Sequence, residues 1–141
     1  MTKNRNIKAV VFDFFGVIES LETGNLNAEF LSYFPQLKKL GLKTGIFTNA
    51  DSLLRERLKK YGLLDLPDVL VISGEIGSQK PHKEAFQVLF EKLKLRPEEV
   101  VFIDDTQRNL EKAGEIGYIP ILYENNEQLK ADLRGMGINL S

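Results

Sequence analysis

The chain contains no cysteine, which excludes a disulfide framework, a thiolate metal centre and thiol catalysis while leaving its redox compartment open. Neither sign of charge is in surplus: 19 basic residues stand against 20 acidic ones, for a formal net charge of −1. No broad electrostatic field therefore points to nucleic acid or an anionic membrane as a partner. No apolar run approaches the roughly 20 residues of a membrane span. The N-terminus also lacks the long apolar core of a secretory signal, so a cytoplasmic location is the default expectation. What is there is 141 residues, 43% of them hydrophobic and 28% charged. That suits one soluble globular domain, residues 1–141, with a proper core and no linker or repeat.

Short apolar runs alternate with amphipathic segments, the rhythm of βαβ units. Strands are expected near Ala9 to Asp13, Lys43 to Thr48, Val69 to Ile72, Val100 to Ile103 and Ile119 to Leu122. Between and after them, Ala28 to Leu40, Ser52 to Tyr61, Lys83 to Leu93, Arg108 to Ile116 and Glu127 to Gly135 read as helices covering the sheet. Gly41, Gly62 and Gly117 fall just past three of these helices, and Pro81 and Pro97 stand before helices or turns. Pro35 runs against the pattern, because it should end or kink the helix drawn through it.

The first strand, in "VVFDFFGVIES", ends on a carboxylate, Asp13. A bare carboxylate is costly to bury, but open α/β sheets place their ligand crevice at the carboxyl ends of strands, where a metal or cation can offset the charge. The plainer alternative is a cap for the turn that holds Gly16. Other strand ends are polar too. "GIFTNA" brings Thr48 and Asn49, "VVFIDDTQRN" brings Asp104 and Asp105, and the loop "SGEIGSQKPHKEAF" delivers Lys80 ahead of Pro81. In a parallel sheet these ends converge, and such hard oxygen ligands suit Mg²⁺ with a phosphate. A carboxylate can attack phosphorus if a cation relieves its repulsion from the anionic substrate, while lysine and hydroxyl donors hold the equatorial oxygens. Each residue also has a structural reading: Asp104 and Asp105 could be an N-cap pair, Thr48 a strand-end hydroxyl and Lys80 a solvated lysine.

The order of these motifs resembles that of the haloacid dehalogenase-like (HAD) hydrolase superfamily, with "VVFDFFGVI", "IFTN", "GEIGSQKP" and "VVFIDDTQRN" similar to its four motifs. The wording is closest to subfamily I. The resemblance implies a Rossmann-like three-layer sandwich around a parallel sheet of about five strands. It also implies Mg²⁺ as cofactor and hydrolysis of a phosphate monoester through an aspartyl phosphate on Asp13. Asp13, the backbone carbonyl of Phe15, and Asp104 would hold the metal. Thr48, Asn49 and Lys80 would surround the phosphoryl group, and Asp105 would act on the metal through water or by orienting neighbours.

Two departures qualify that reading. Phosphatases of the superfamily usually carry an acid–base aspartate two residues after the nucleophile, and here that position is Phe15. General acid–base help is worth roughly two to four orders of magnitude. In addition, about 35 residues separate Asp13 from Thr48, which leaves no space for the cap domain that normally closes such a site. A capless mouth would admit a phosphorylated small molecule or a larger phosphorylated substrate. Phe14, Phe15, Phe30, Tyr33 and Phe34 are aromatic enough to make a patch there; core packing explains some of them, while an exposed cluster would suit a homodimer or a protein partner. The rival expectations are a catalytically impaired binding protein that keeps the pocket and, ranked last, a 2-haloacid dehalogenase. His82 reads as a capping or surface residue, and Arg108 and Asn109 as first-turn residues that stabilise their loop.

Overall fold

The computed structural model describes residues 6–141. Five strands, β1 (Ala9–Phe12), β2 (Lys43–Thr48), β3 (Val69–Ile72), β4 (Val100–Asp104) and β5 (Ile119–Leu122), form one sheet in the order β3-β2-β1-β4-β5. All four pairings are parallel, with Phe12 opposite both Ile46 and Ile103. The chain winds outward from β1 to β3, then returns to β1's other side as β4. The carboxyl ends of β1 and β4 therefore flank the topological switch point, where open α/β sheets keep their ligand crevice.

Successive side chains of a strand point to opposite faces, so a strand buried on both faces is apolar throughout. In β1, Val10 and Phe12 enter one core with Phe30, Tyr33, Phe34 and Leu37 of α1 (Phe30–Lys39) and Leu129 and Leu133 of α7 (Asn126–Arg134). Leu54 and Leu58 of α2 (Leu54–Tyr61) complete that face. Ala9 and Val11 enter the other core, against Phe86, Leu89 and Leu93 of α4 (Lys83–Leu93). Phe86 is the centre of an aromatic group there, stacked on Tyr118 at 4.6 Å and edge-on to Phe47 at 5.0 Å.

Three local expectations are corrected. Helix α1 runs through Pro35 without ending. Pro35 removes only the hydrogen bond to the Leu31 carbonyl and lies on the exposed side, while four buried side chains hold the helix to the sheet. The single helix expected over 108–116 is two short ones, α5 (Gln107–Leu110) and α6 (Ala113–Ile116). The Asn109 carbonyl, which a continuous helix would bond to the amide four residues on, accepts from the Tyr118 hydroxyl instead, at 3.2 Å. The loop before Lys80 contains a further turn of helix, α3 (Ser73–Ile76), ended by left-handed Gly77.

Between β1 and α1, residues 14–29 form turns and two isolated bridges, Phe15 with Glu19 and Glu19 with Leu26. The segment is anchored at two places. Buried Glu19 accepts from Arg57 at 2.9 Å and from the Tyr61 hydroxyl at 2.6 Å, both on α2. Asn27 donates to Asn126 of α7 at 2.9 Å and to the Tyr123 hydroxyl at 3.1 Å. No helix among the described residues is long and apolar enough to cross a membrane.

Candidate active site

At the carboxyl edge of the sheet, Asp13, Thr48, Lys80 and Asp104 are all buried. Asp13 directly follows β1, and its amide donates to the Ile103 carbonyl at 2.9 Å, extending the β1–β4 pairing by one residue. Lys80 arrives from the α3–α4 loop, which Asn49 fixes with both ends of its amide. The Asn49 Oδ1 accepts from the Lys80 backbone amide at 2.9 Å, and Nδ2 donates to the Lys80 carbonyl at 3.2 Å.

The Lys80 ammonium donates to Asp13 Oδ1 (2.9 Å), Asp104 Oδ2 (2.8 Å) and the Phe47 carbonyl (3.0 Å). All three of its protons are thus placed. The Phe47 and Phe102 rings lie 5.3 and 5.0 Å away, within cation–π range. An ammonium withdrawn from water is tolerable here because two carboxylates, a carbonyl and two ring faces replace its hydration.

The adjacent aspartates have different surroundings. Asp104 is fully buried, its Oδ1 accepting from the Thr106 amide (2.9 Å) and its Oδ2 from Asn109 (3.1 Å) as well as Lys80. Asp105 is only partly buried and accepts from the Thr106 hydroxyl at 3.2 Å. Its carboxylate rests against Gly16, where a Cβ would overlap it; Gly16 has φ +89°, a conformation that favours glycine. The engagement of Asp104 by Asn109 and the closeness of Gly16 to Asp105 have no local sequence signature beyond glycine's permissiveness and the position of Asn109 on a first helical turn.

Three carboxylates face one ammonium. Carboxylate oxygens of Asp13, Asp104 and Asp105 lie within 4.8 Å of one another. Burial, aided by the negative charge of Asp104 and opposed by Lys80, pushes Asp13 up to about 6. Burial and Asp104 also raise Asp105. A surplus of negative charge on hard oxygen donors, without sulfur or imidazole, is the donor set of a divalent cation such as Mg²⁺. The Thr48 hydroxyl, on a buried side chain, donates to no protein group among the described residues.

Other sequence expectations fare differently. Phe15 fills the position of the usual acid with a ring, edge-on to Phe14 at 4.9 Å and 5.9 Å from the Arg57 guanidinium. Of the two readings of the aromatic residues, core packing holds for Phe14, Phe30, Tyr33 and Phe34, and of the five only Phe15 reaches the surface. Phe12, also buried, packs edge-on against Phe30 and Phe34 and so holds those two rings in the core. His82 is exposed and takes the N-cap position of α4 without a side-chain cap bond.

A sequence profile of the haloacid dehalogenase-like hydrolase family matches residues 18–117. The chain belongs to that family. The match to the HAD profile includes Thr48, Asn49, Lys80, Asp104 and Asp105 and begins after Asp13. Among curated proteins, this HAD chain is 31% identical over 121 residues to bifunctional epoxide hydrolase 2 of Mus musculus, across 82% of this chain and 22% of that one. It is 32% identical over 88 residues to glyceraldehyde 3-phosphate phosphatase of Methanocaldococcus jannaschii, across 61% and 39%. The chain thus spans less than two thirds of the length of these curated relatives. In fold it matches the crystal structure of an uncharacterized protein from Corynebacterium glutamicum, with TM-score 0.83, 23% identity, and coverage of 96% of this chain and 98% of that one. A HAD phosphatase from Thermococcus onnurineus superposes with TM-score 0.70 at 21% identity, over 85% and 87% of the two chains.

Proposed function

We propose that this HAD chain hydrolyses a phosphate monoester through an aspartyl phosphate on Asp13, with Mg²⁺ as cofactor. The observation that carries the reading is the Lys80 ammonium bridging Asp13 and Asp104 beside a third carboxylate, Asp105. Lys80 engages Asp13 Oδ1 and leaves the other carboxylate oxygen to attack phosphorus as the bond to the leaving oxygen breaks. Water then attacks the same phosphorus, releasing inorganic phosphate and returning Asp13. Thr48 is assigned to a phosphoryl oxygen. Asn49 serves chiefly by holding Lys80 in place.

We assign the metal to Asp13, Asp105 and the Phe15 backbone carbonyl, with Asp104 behind them. This exchanges the shares that the sequence reading allotted to the two aspartates, because Asp104 already accepts three hydrogen bonds and Asp105 accepts one from a side chain. When bound, Mg²⁺ would neutralise the surplus charge and polarise the phosphoryl group. With Phe15 in place of an acid, the leaving oxygen takes its proton from solvent, which favours esters with good leaving groups. The unit is proposed to act without a cap, as the short segment 14–29 supports, on soluble phosphorylated substrates in the cytoplasm.

A second reading, a binding protein that keeps the pocket without turnover, is favoured by Phe15 and by the lack of space for a cap between Asp13 and Thr48. Release of nitrophenol from p-nitrophenyl phosphate, with and without Mg²⁺ and beside Asp13→Asn, separates the two. Activity that requires both the metal and Asp13 is the expected result. Activity no higher than that of Asp13→Asn would end the hydrolase reading.

A further inference from the structure

One cavity borders Asp105 and another borders Phe15 and Asn49, and their charged linings differ. One, of about 430 Å³, runs beside Gly16 and Asp105 under the 14–29 segment. Glu22, Glu124 and Asp105 border it, and neither lysine nor arginine does. The other, of about 320 Å³, lies on the opposite side, lined by Phe15, Asn49, Asp51, Leu53 and Arg57 among others. Two of its lining residues tie it to the site: Phe15 is two residues past Asp13, and Asn49 is the residue that holds the Lys80 backbone.

Arg57 is the cation of that second cavity. Its side chain is 51% exposed, while the carboxylate it pairs with, Glu19 of the 14–29 segment, is buried. Glu19 takes only the Nη1 end of the guanidinium, at 2.9 Å, and fills its other oxygen with the Tyr61 hydroxyl. That bond fixes the arginine near the Phe15 ring and leaves most of its five N–H donors for another group. The neighbouring carboxylate, Asp51, is turned back on its own chain, accepting from the Leu53 amide at 2.9 Å.

We propose that the cavity between Phe15 and Arg57 receives the part of the substrate beyond the phosphoryl group, and that Arg57 there holds a second anionic group, a carboxylate or phosphate, of the leaving alcohol. The inference rests on the reading of Asp13 as the phosphoryl-accepting residue and adds a substrate class to it: phosphate monoesters that carry a further oxyanion. The cation-free cavity beside Asp105 would repel such a group, so the two cavities sort substrates by charge. Glu19 acts as a positioning residue for Arg57.

The test compares binding of phosphonoacetate, which carries a carboxylate and cannot be hydrolysed as an ester, with that of methylphosphonate, by calorimetry in the presence of Mg²⁺. The native chain is expected to bind phosphonoacetate at least about tenfold more tightly. The double variant Arg57→Gln/Glu19→Gln removes the cation without stranding a buried charge, and should abolish that preference. Arg57→Lys, which keeps the charge but loses the fork, should reduce it. Arg55→Gln removes a charge from the same helix, where it pairs with Glu75 away from this cavity, and should leave the preference intact. Equal affinities in the native chain, no binding of phosphonoacetate, or a preference that survives the double variant would each overturn the proposal. Turnover of p-nitrophenyl phosphate is read separately, so failure of hydrolysis and failure of this subsite give different results.

Discussion

Lys80 and Asp13, 67 positions apart in the chain, meet at 2.9 Å with both side chains almost wholly removed from water. Removing Lys80 would strand two buried carboxylates, and an uncompensated buried charge typically costs about 3–5 kcal/mol, whereas removing Asp13 leaves Lys80 paired with Asp104. Lys80→Met should therefore lower unfolding stability by an amount in that range at neutral pH without metal, as read by urea denaturation. A loss below about 1 kcal/mol, the size of an exposed pair, would mean that Lys80 does not neutralise the carboxylates.

The raised value of Asp13 gives metal-free stability a defined pH dependence. An acid whose folded value, about 6, lies above its ordinary 3.8 stabilises the fold below the lower value and loses that contribution as pH rises through the higher one. Between pH 4 and 7 the loss is at most about 3 kcal/mol. Asp13→Asn should be more stable than the native chain at pH 7.5 without metal, and the difference should shrink toward pH 4. Added Mg²⁺ should stabilise the native chain more than the variant. If Asp13→Asn proves less stable at pH 7.5, the carboxylate is not under electrostatic stress.

Gly16 and Asp105 test the metal assignment. Gly16→Ala adds a Cβ where the Asp105 carboxylate lies and should weaken Mg²⁺ binding by tenfold or more in titration calorimetry, beyond the roughly 1–3 kcal/mol that a strained backbone costs in stability. Gly24→Ala is the matched control, since Gly24 also has positive φ, +72°, but open space around it. Equal Mg²⁺ affinity in the two variants would remove Asp105 from the metal site.

Phe15→Asp places a carboxyl group two residues beyond Asp13. On alkyl phosphates, whose leaving oxygen needs a proton, kcat should rise by roughly 10- to 100-fold, reaching at most the lower end of the usual range of general acid help because the site is not built around the new group. On p-nitrophenyl phosphate the gain should be small. An equal gain on both substrates would point to some effect other than proton donation.

The strands were legible because burial on both faces writes a nearly unbroken apolar run, and the observed ends differ from the expected ones by a residue at Asp13 and at Asp104. The site residues were legible as polar groups at those ends. What local pattern could not reveal depends on distant partners. The bond from Tyr118 to the Asn109 carbonyl divides one helix into two, and the amide of Asn49 reaches a backbone 31 positions away. The aromatic residues after Asp13 stayed open between core and surface for a related reason: composition marks them as apolar but does not say which side of the segment the core takes.

The two anchors of the 14–29 segment lie on opposite flanks of the crevice, with α2 between β2 and β3 in the chain and α7 after β5. The segment is therefore a tie-beam across the switch point, bolted at one end by Glu19 and at the other by Asn27. Parallel strands alone would let the two wings of the sheet twist about the β1–β4 seam. With the beam in place, widening the seam must first draw Glu19 away from Arg57 or Asn27 away from Asn126, so the aperture over Asp13 is set by side chains outside the carboxylate cluster.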